Sequence, residues 1–182
     1  RGTTIEVDPN DSVTPVDTVN PIVPANGAEI GVRTAWFQDF QLTSALWNLY
    51  IDSELLFVGD GGITEPSRGT RRYGVELGAF WTPLDWVIVD ADYSWSHARF
   101  TDPDPAGDYI PGALETVVAV GLAVTRDLGW HGGARLRYFG AAPLIEDGSA
   151  RSDSTMIVNA EVGYRFTNTL RATLTVFNLF DA

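Results

Sequence analysis

Arg71 to Ser96 reads RRYGVELGAFWTPLDWVIVDADYSWS. Tyr73, Val75, Leu77, Ala79 and Trp81 alternate with Arg72, Gly74, Glu76, Gly78 and Phe80. After Thr82-Pro83-Leu84-Asp85 the alternation resumes. Val87, Val89, Ala91, Tyr93 and Trp95 take one face, and Trp86, Ile88, Asp90, Asp92, Ser94 and Ser96 the other. A period of two puts successive side chains on opposite faces and predicts strands. Each runs for about 11 to 13 residues, twice the usual length. The second face mixes small, acidic and basic residues, as expected where a sheet faces a wet interior.

The same pattern extends in both directions. Residues 1–28 are rich in Pro, Asp and Asn and read as an extracellular loop region, in which Asn10-Asp11-Ser12 matches a glycosylation sequon by chance. A strand follows over Glu29 to Trp36, then a turn at Gln38-Asp39-Phe40. Leu42 to Leu55 reads as one long strand, with a helix over Leu42 to Tyr50 as the rival. Gly59 to Gly69 reads as a loop. It lacks the Gly-Lys-Ser/Thr ending of a phosphate cradle. Further strands are expected at Leu114 to Val124, Trp130 to Tyr138, Met156 to Phe166 and Leu170 to Val176. Long loops fall at Arg99 to Gly112 and Ala141 to Ser154.

Short turns near Asp39, Leu84, Asp127 and Asn168 recur roughly every 40 to 45 residues, an internal repeat of hairpins. Long loops alternate with them, so every short turn lies at one end and every long loop at the other. Outer-membrane barrels have this asymmetry, with short periplasmic turns and long extracellular loops. Twelve residues at about 3.3 Å, tilted near 40°, rise roughly 30 Å, enough for the apolar band. The predicted fold is all-β: an antiparallel transmembrane β-barrel, here a partial barrel of about eight long strands.

Composition agrees. The chain has 182 residues, no Cys and a net charge of −12, with Arg as its only strong base. That charge argues against a nucleic-acid partner. Mean hydropathy is −0.02, as expected where only alternate residues face lipid. The start at Arg1, without Met or signal peptide, reads as a mature chain or a fragment.

Leu170 to Asp181, LRATLTVFNLFD, resembles the segment near the end of TonB-dependent outer-membrane receptors, whose penultimate strand commonly carries Asn-Leu-Phe-Asp. Here those residues are Asn178, Leu179, Phe180 and Asp181. Arg72-Tyr73-Gly74-Val75-Glu76-Leu77 and Tyr109-Ile110-Pro111 are similar to the strands and loops of such receptors. The resemblance covers 29–182. It implies a 22-stranded barrel with a plug, in the outer membrane of a Gram-negative bacterium. It also implies uptake of a scarce ligand such as a ferric siderophore, energised by the TonB complex through the plug. Outer-membrane lipid and lipopolysaccharide would surround the wall. No plug, coupling box or signal peptide is read here, and against the family's pattern the stretch reads as lacking the last strand after Asp181. On that register 29–182 is a C-terminal portion of the barrel, its strands the fourteenth to twenty-first. The alternative is a complete eight-stranded barrel of structural or adhesive type.

No enzyme is read from these residues. His97 and His131 lie on different strands without metal-ligand spacing. Ser67, Ser149 and Ser154 lack a nucleophile elbow. Asp90 and Asp92 share a face, as glycosidase acids might, but opposite Arg135, Arg137 and Arg165 they read as lumenal polarity. Asp102, Asp104 and Gly107 mimic the start of a calcium loop, yet Ala106 and Ala113 occupy ligand positions. No cofactor or metal is therefore expected. Candidate ligand contacts lie on the long loops and upper lumen: Arg68, Arg71, Arg72, Asp102, Asp104, Asp108, Tyr109, Glu146 and Arg151.

Overall fold

The computed structural model describes residues 23–37, 39–53 and 68–180, together with four short strands at 6–7, 15–17, 55–58 and 63–66. The sequon, the 59–62 glycines, Ser67 and Asp181 lie outside the described residues, as does the side chain of Trp36. Strands β1 (Glu6–Val7) and β2 (Pro15–Asp17) pair with each other. The main sheet comprises β3 (Ala25–Phe37), β4 (Phe40–Ile51), β7 (Thr70–Leu84), β8 (Val87–Phe100), β9 (Thr116–Val124), β10 (Gly129–Phe139), β11 (Thr155–Arg165) and β12 (Arg171–Val176). Within the β4–β7 connection, β5 (Leu55–Val58) and β6 (Ile63–Pro66) make a separate hairpin.

The eight-stranded sheet has the order β12-β11-β10-β9-β8-β7-β4-β3, and every neighbouring pair is antiparallel. A closed eight-stranded barrel would pair β3 with β12. The sheet instead ends at both, so the eight-stranded alternative is not the arrangement adopted.

Cross-strand partners share a face, so the register shows what each face carries. One row runs Thr34, Leu42, Ala79, Ala91, Val120, Leu136, Val158 across seven strands. The next runs Phe40, Trp81, Val89, Leu122, Ala134, Ala160, Val176. This apolar face is open: Ile30 is 72% exposed, Leu122 47% and Leu174 64%. A continuous exposed patch of this size has a place against lipid, not water. Aromatic side chains bound the band. Tyr73 and Tyr138 stand eight positions from Trp81 and Trp130 on their own strands. Near the short turns Trp130, Tyr164 and Phe166 stack edge-on at 5.1 and 4.9 Å. Near the long loops Tyr73 meets Trp95 and His97 at 6.0 and 5.0 Å. Such rings favour membrane interfaces, with one end apolar and the other able to hydrogen-bond.

Several boundaries differ from those read in the sequence. β3 begins at Ala25, inside the stretch 1–28 read as loop. Asn26 and Gly27 are weak strand formers, but their pairing with Tyr50 and Leu49 carries the ladder through them. β4 ends at Ile51, and Leu55 enters the small hairpin instead of continuing the strand. Ile63–Pro66 is strand within the predicted glycine-rich loop. Pro83 lies inside β7, at a register shift between Trp81 and Leu84 where no ladder donor is needed. The turn is thereby shortened to Asp85 and Trp86. Leu42 to Tyr50 is strand throughout, and the helical rival falls away.

Val120→Arg should lower the stability of the full-length protein refolded into phospholipid vesicles by about 2–4 kcal/mol, the cost of a charge near the bilayer midplane. The same change at Ala119, on the opposite face and facing Asp92 across the ladder, should cost far less.

Candidate functional site

The long connections between β8 and β9 and between β10 and β11 fold onto each other. Ala98, Phe100 and Ile110 form a buried cluster with Ala113 packed against it, and Pro143 is fully buried. Backbone hydrogen bonds tie the segments together. The Tyr109 amide donates to the Glu146 carbonyl at 2.9 Å, Gly112 to Pro143 at 2.8 Å, and Thr101 to Gly69 at 2.9 Å. Two glycines permit the approach. Gly107 has φ of +115° and lies against the Glu146 carbonyl; Gly148, at +71°, lies under the Tyr109 ring. A Cβ at either would meet these groups, and L-residues disfavour both conformations.

Arginines cross-link this packed unit. Arg68 holds the Glu146 carboxylate at 2.7 Å and approaches Asp104 at 4.0 Å. It also donates to the Asp102 and Gly107 carbonyls at 3.1 and 3.0 Å and stacks 4.1 Å over Phe100. Arg99 stacks 3.7 Å over Tyr109 and lies 3.7 Å from Asp108 and 3.6 Å from Glu115. Arg151 reaches the same Glu115 at 3.2 Å and the Ala141 carbonyl at 3.0 Å. Each exposed pair alone is worth about 0–1 kcal/mol. Here the guanidiniums are mostly covered, Arg99 to 17% and Arg68 to 21% side-chain exposure, and each bridges several partners. At the tip, Asp147 accepts the Ser149 amide at 2.8 Å, and the Ser149 backbone and side chain hold its carboxyl below the usual carboxylate range.

Seven of the nine residues proposed from the sequence meet in this unit: Arg68, Asp102, Asp104, Asp108, Tyr109, Glu146 and Arg151. Arg71 and Arg72 do not. Arg71 lies lower, on β7, where its Nε donates to Asn48 Oδ1 at 3.3 Å, and Arg72 points to the other face of that strand. Sequence reading missed Arg99, Phe100 and Glu115, which organise the unit. Arg99 and Glu115 flank the loop with opposite charges, a signal available in the sequence. The Asp102/Asp104 pair forms no metal loop: Asp104 Oδ1 instead accepts the Ala106 amide at 2.8 Å. Among the described residues no group of His, Cys, Asp or Glu is arranged to hold a metal ion.

The lumenal face is polar and crossed by side chains that reach over glycines. Asp90, Gly121 and Arg135 are register partners on β8, β9 and β10. Both Asp90 oxygens accept from Arg135 Nη2 at 2.9 Å, across Gly121, where any Cβ would collide with the pair. Trp47 likewise lies over Gly74, its Cζ2 2.8 Å from where a Cβ would stand. Asp90 is thus an ion-pair partner, and Asp92 stands beside Gly78 with no acid-base partner in the described set. An open trough of about 720 Å³ runs along the short-turn half of this face, lined by Asp90, His131, Arg135, Glu161, Arg165 and Arg171 among others.

A sheet with an apolar outer band, a polar inner wall and all long loops at one end is part of a transmembrane β-barrel. The family model for the β-barrel of TonB-dependent receptor-like proteins matches residues 24–179, and the chain belongs to that family. Barrels of this family lie in the outer membrane of Gram-negative bacteria and serve receptors and transporters, not enzymes. The fold is similar to the ferric-catecholate import receptor Fiu from E. coli K12 (24% identity, TM-score 0.70), with 87% of this chain matched to 23% of that one. The ferric yersiniabactin uptake receptor FyuA from Yersinia pestis is similar at 19% identity and TM-score 0.71, over 87% of this chain and 25% of that one. The copper transporter OprC matches at 20% identity and TM-score 0.70, over 96% and 27%. The chain therefore spans about a quarter of each structure. No curated protein matches in sequence.

Arg68→Ala should loosen the loop unit without opening the sheet. Amide exchange at Tyr109 and Gly112 in the full-length protein should quicken about tenfold, the effect of losing roughly 1.4 kcal/mol of local stability. Exchange at Val120 should not change.

Proposed function

We propose that this chain is part of the wall and extracellular rim of an outer-membrane TonB-dependent receptor that imports a scarce ligand, a ferric siderophore or similar metal chelate. The observation that carries the reading is the family match over nearly the whole sheet, joined to an open strand array with all its long loops at one end. Both sheet edges are unpaired among the described residues, and in lipid each unpaired amide costs several kcal/mol. Further strands of a larger barrel would satisfy them. On this reading 29–182 is a C-terminal portion of that barrel, and the energy reaches it from the TonB complex through a plug.

Within the rim, Asp102, Asp104, Asp108, Tyr109, Glu146 and Arg151 are the residues nearest an incoming ligand, and Arg68 holds their scaffold. Arg71 and Arg72 would act lower on the wall. The arginines of the unit are already engaged by its own acids. The role of Arg68 and Arg99 is to fix the loop surface, while the outer carboxylates, Arg151 and the Tyr109 ring meet the ligand or the lipopolysaccharide around it. The names of the solved structures that share the fold, two ferric-chelate receptors and a copper transporter, support a metal-bearing cargo.

The test is uptake by cells expressing the full-length gene. A labelled ferric catecholate or copper should enter, and dissipating the inner-membrane proton gradient should abolish entry while leaving surface binding. Uptake indifferent to the gradient would count against energy coupling. Tyr109→Ala should weaken surface binding about tenfold with the barrel intact, the order expected for losing one aromatic anchor.

A further inference from the structure

We propose that the lumenal wall carries an oxyanion-binding site at its short-turn end, formed by Arg165 on β11 and Arg171 on β12. The two residues are direct cross-strand partners and share the inner face. The adjacent pair, Tyr164 and Ala172, faces outward with the Trp130 cluster. Like charges placed directly opposite each other destabilise a strand pair unless a negative group answers them. Among the described residues no carboxylate pairs with either guanidinium. Arg165 donates to the Asp127 carbonyl at 3.2 Å, which anchors it and leaves its other donors directed elsewhere.

The sheet contains its own comparison. Arg71 and Arg99 are also direct cross-strand partners. There Arg99 is answered by the carboxylates of Asp108 and Glu115 at 3.7 and 3.6 Å, while Arg71, like Arg165, donates to a neutral oxygen, that of Asn48 at 3.3 Å. At the Arg165/Arg171 pair neither guanidinium has a carboxylate partner among the described residues, so a negative group answering them would come from outside those residues.

The surroundings suit an anion. Both arginines line the trough of about 720 Å³, as do Arg126 and His131. Arg126 is held 4.3 Å over the Trp86 ring. His131 Nε2 and Thr173 Oγ1, one rung above, lie 3.4 Å apart and add polar atoms. The acids of the trough are otherwise placed. Asp90 is held by Arg135, Glu161 accepts the Thr175 hydroxyl at 3.2 Å, and Asp85 and Asp127 sit at the turns. Two guanidinium forks on one face match the geometry of a carboxylate or a phosphate, which accept paired charged hydrogen bonds. The oxyanion has two sources: a carboxylate of protein packed inside the lumen, or a free anionic solute passing through it.

The test uses the full-length protein in detergent, with inorganic phosphate as the probe, read by calorimetric titration and by the unfolding midpoint. If the site takes free anions, phosphate binds and Arg171→Gln weakens it about tenfold, as loss of a charge-assisted contact predicts. Arg137→Gln leaves that binding unchanged. If a protein carboxylate already fills the site, phosphate does not bind. Arg171→Gln then lowers the midpoint, and Arg171→Lys, which keeps the charge but not the planar fork, restores part of it. Phosphate binding that survives Arg171→Gln overturns the proposal. So does an absence of binding with a midpoint unchanged or raised in Arg171→Gln, since an unanswered like-charge pair gains from losing one charge. Equal losses in the Gln and Lys variants also overturn it, because they report packing instead of charge. Arg165→Gln repeats each arm should Arg171→Gln fail to fold.

Discussion

In hydrocarbon there is no water to accept a backbone hydrogen bond, so each strand depends on its neighbour for nearly all its polar backbone groups. That constraint explains features which otherwise look unrelated. Strands as long as the 15 residues of β7 and 14 of β8 carry the ladder through the whole apolar band. Asn26, Gly27 and Pro83 are tolerated inside strands because the ladder is either completed by partners or interrupted at a bulge. Irregular backbone is confined to the ends, where water or the packed loops can satisfy it.

The same constraint makes the inner face depend on glycine. Once cross-strand spacing is set by backbone pairing, a long polar side chain can meet a partner two strands away only over a residue without a side chain. Gly121 provides this for Asp90 and Arg135 and Gly163 for His131 and Thr173, while Gly74 makes room for the indole of Trp47 lying over it. These glycines weaken their strands locally, but they allow side-chain links to brace the wall across three strands.

How much of this was legible in the sequence follows from the range of the interactions. The alternation in Arg71 to Ser96 is local, and it gave both faces and the strand character correctly. The recurrence of short turns gave the antiparallel order. The start of β3 at Ala25 was hidden because only its partner Leu49 and its neighbours in β4 hold Gly27 in the ladder. Arg99 was overlooked because its carboxylates arrive from positions 108 and 115, after the loop has closed. The gathering of Arg68 with Glu146 spans 78 positions, which no local pattern discloses. Their residue types marked them as candidates; their mutual contact came from the docking of two loops.

That docking separates two sources of stability. Among the described residues the buried apolar cluster joins the long-loop end of β8, at Ala98 and Phe100, to Ile110 of the following loop. The outer apolar face is of the kind that lies against lipid, and both sheet edges, β3 and β12, are unpaired among the described residues. The loop unit has its own packing, ion pairs and backbone bonds. Glu146 and Tyr109 join the two loops to each other, and Ala98, Arg99 and Phe100 join them to the end of β8. Phe100, Ile110 and Arg99 fix the shape of the rim, and Asp108 takes part in it through its contact with Arg99 at 3.7 Å. The packed rim and the ladder of the wall are thus held by different kinds of interaction, side-chain contacts in one and backbone pairing in the other.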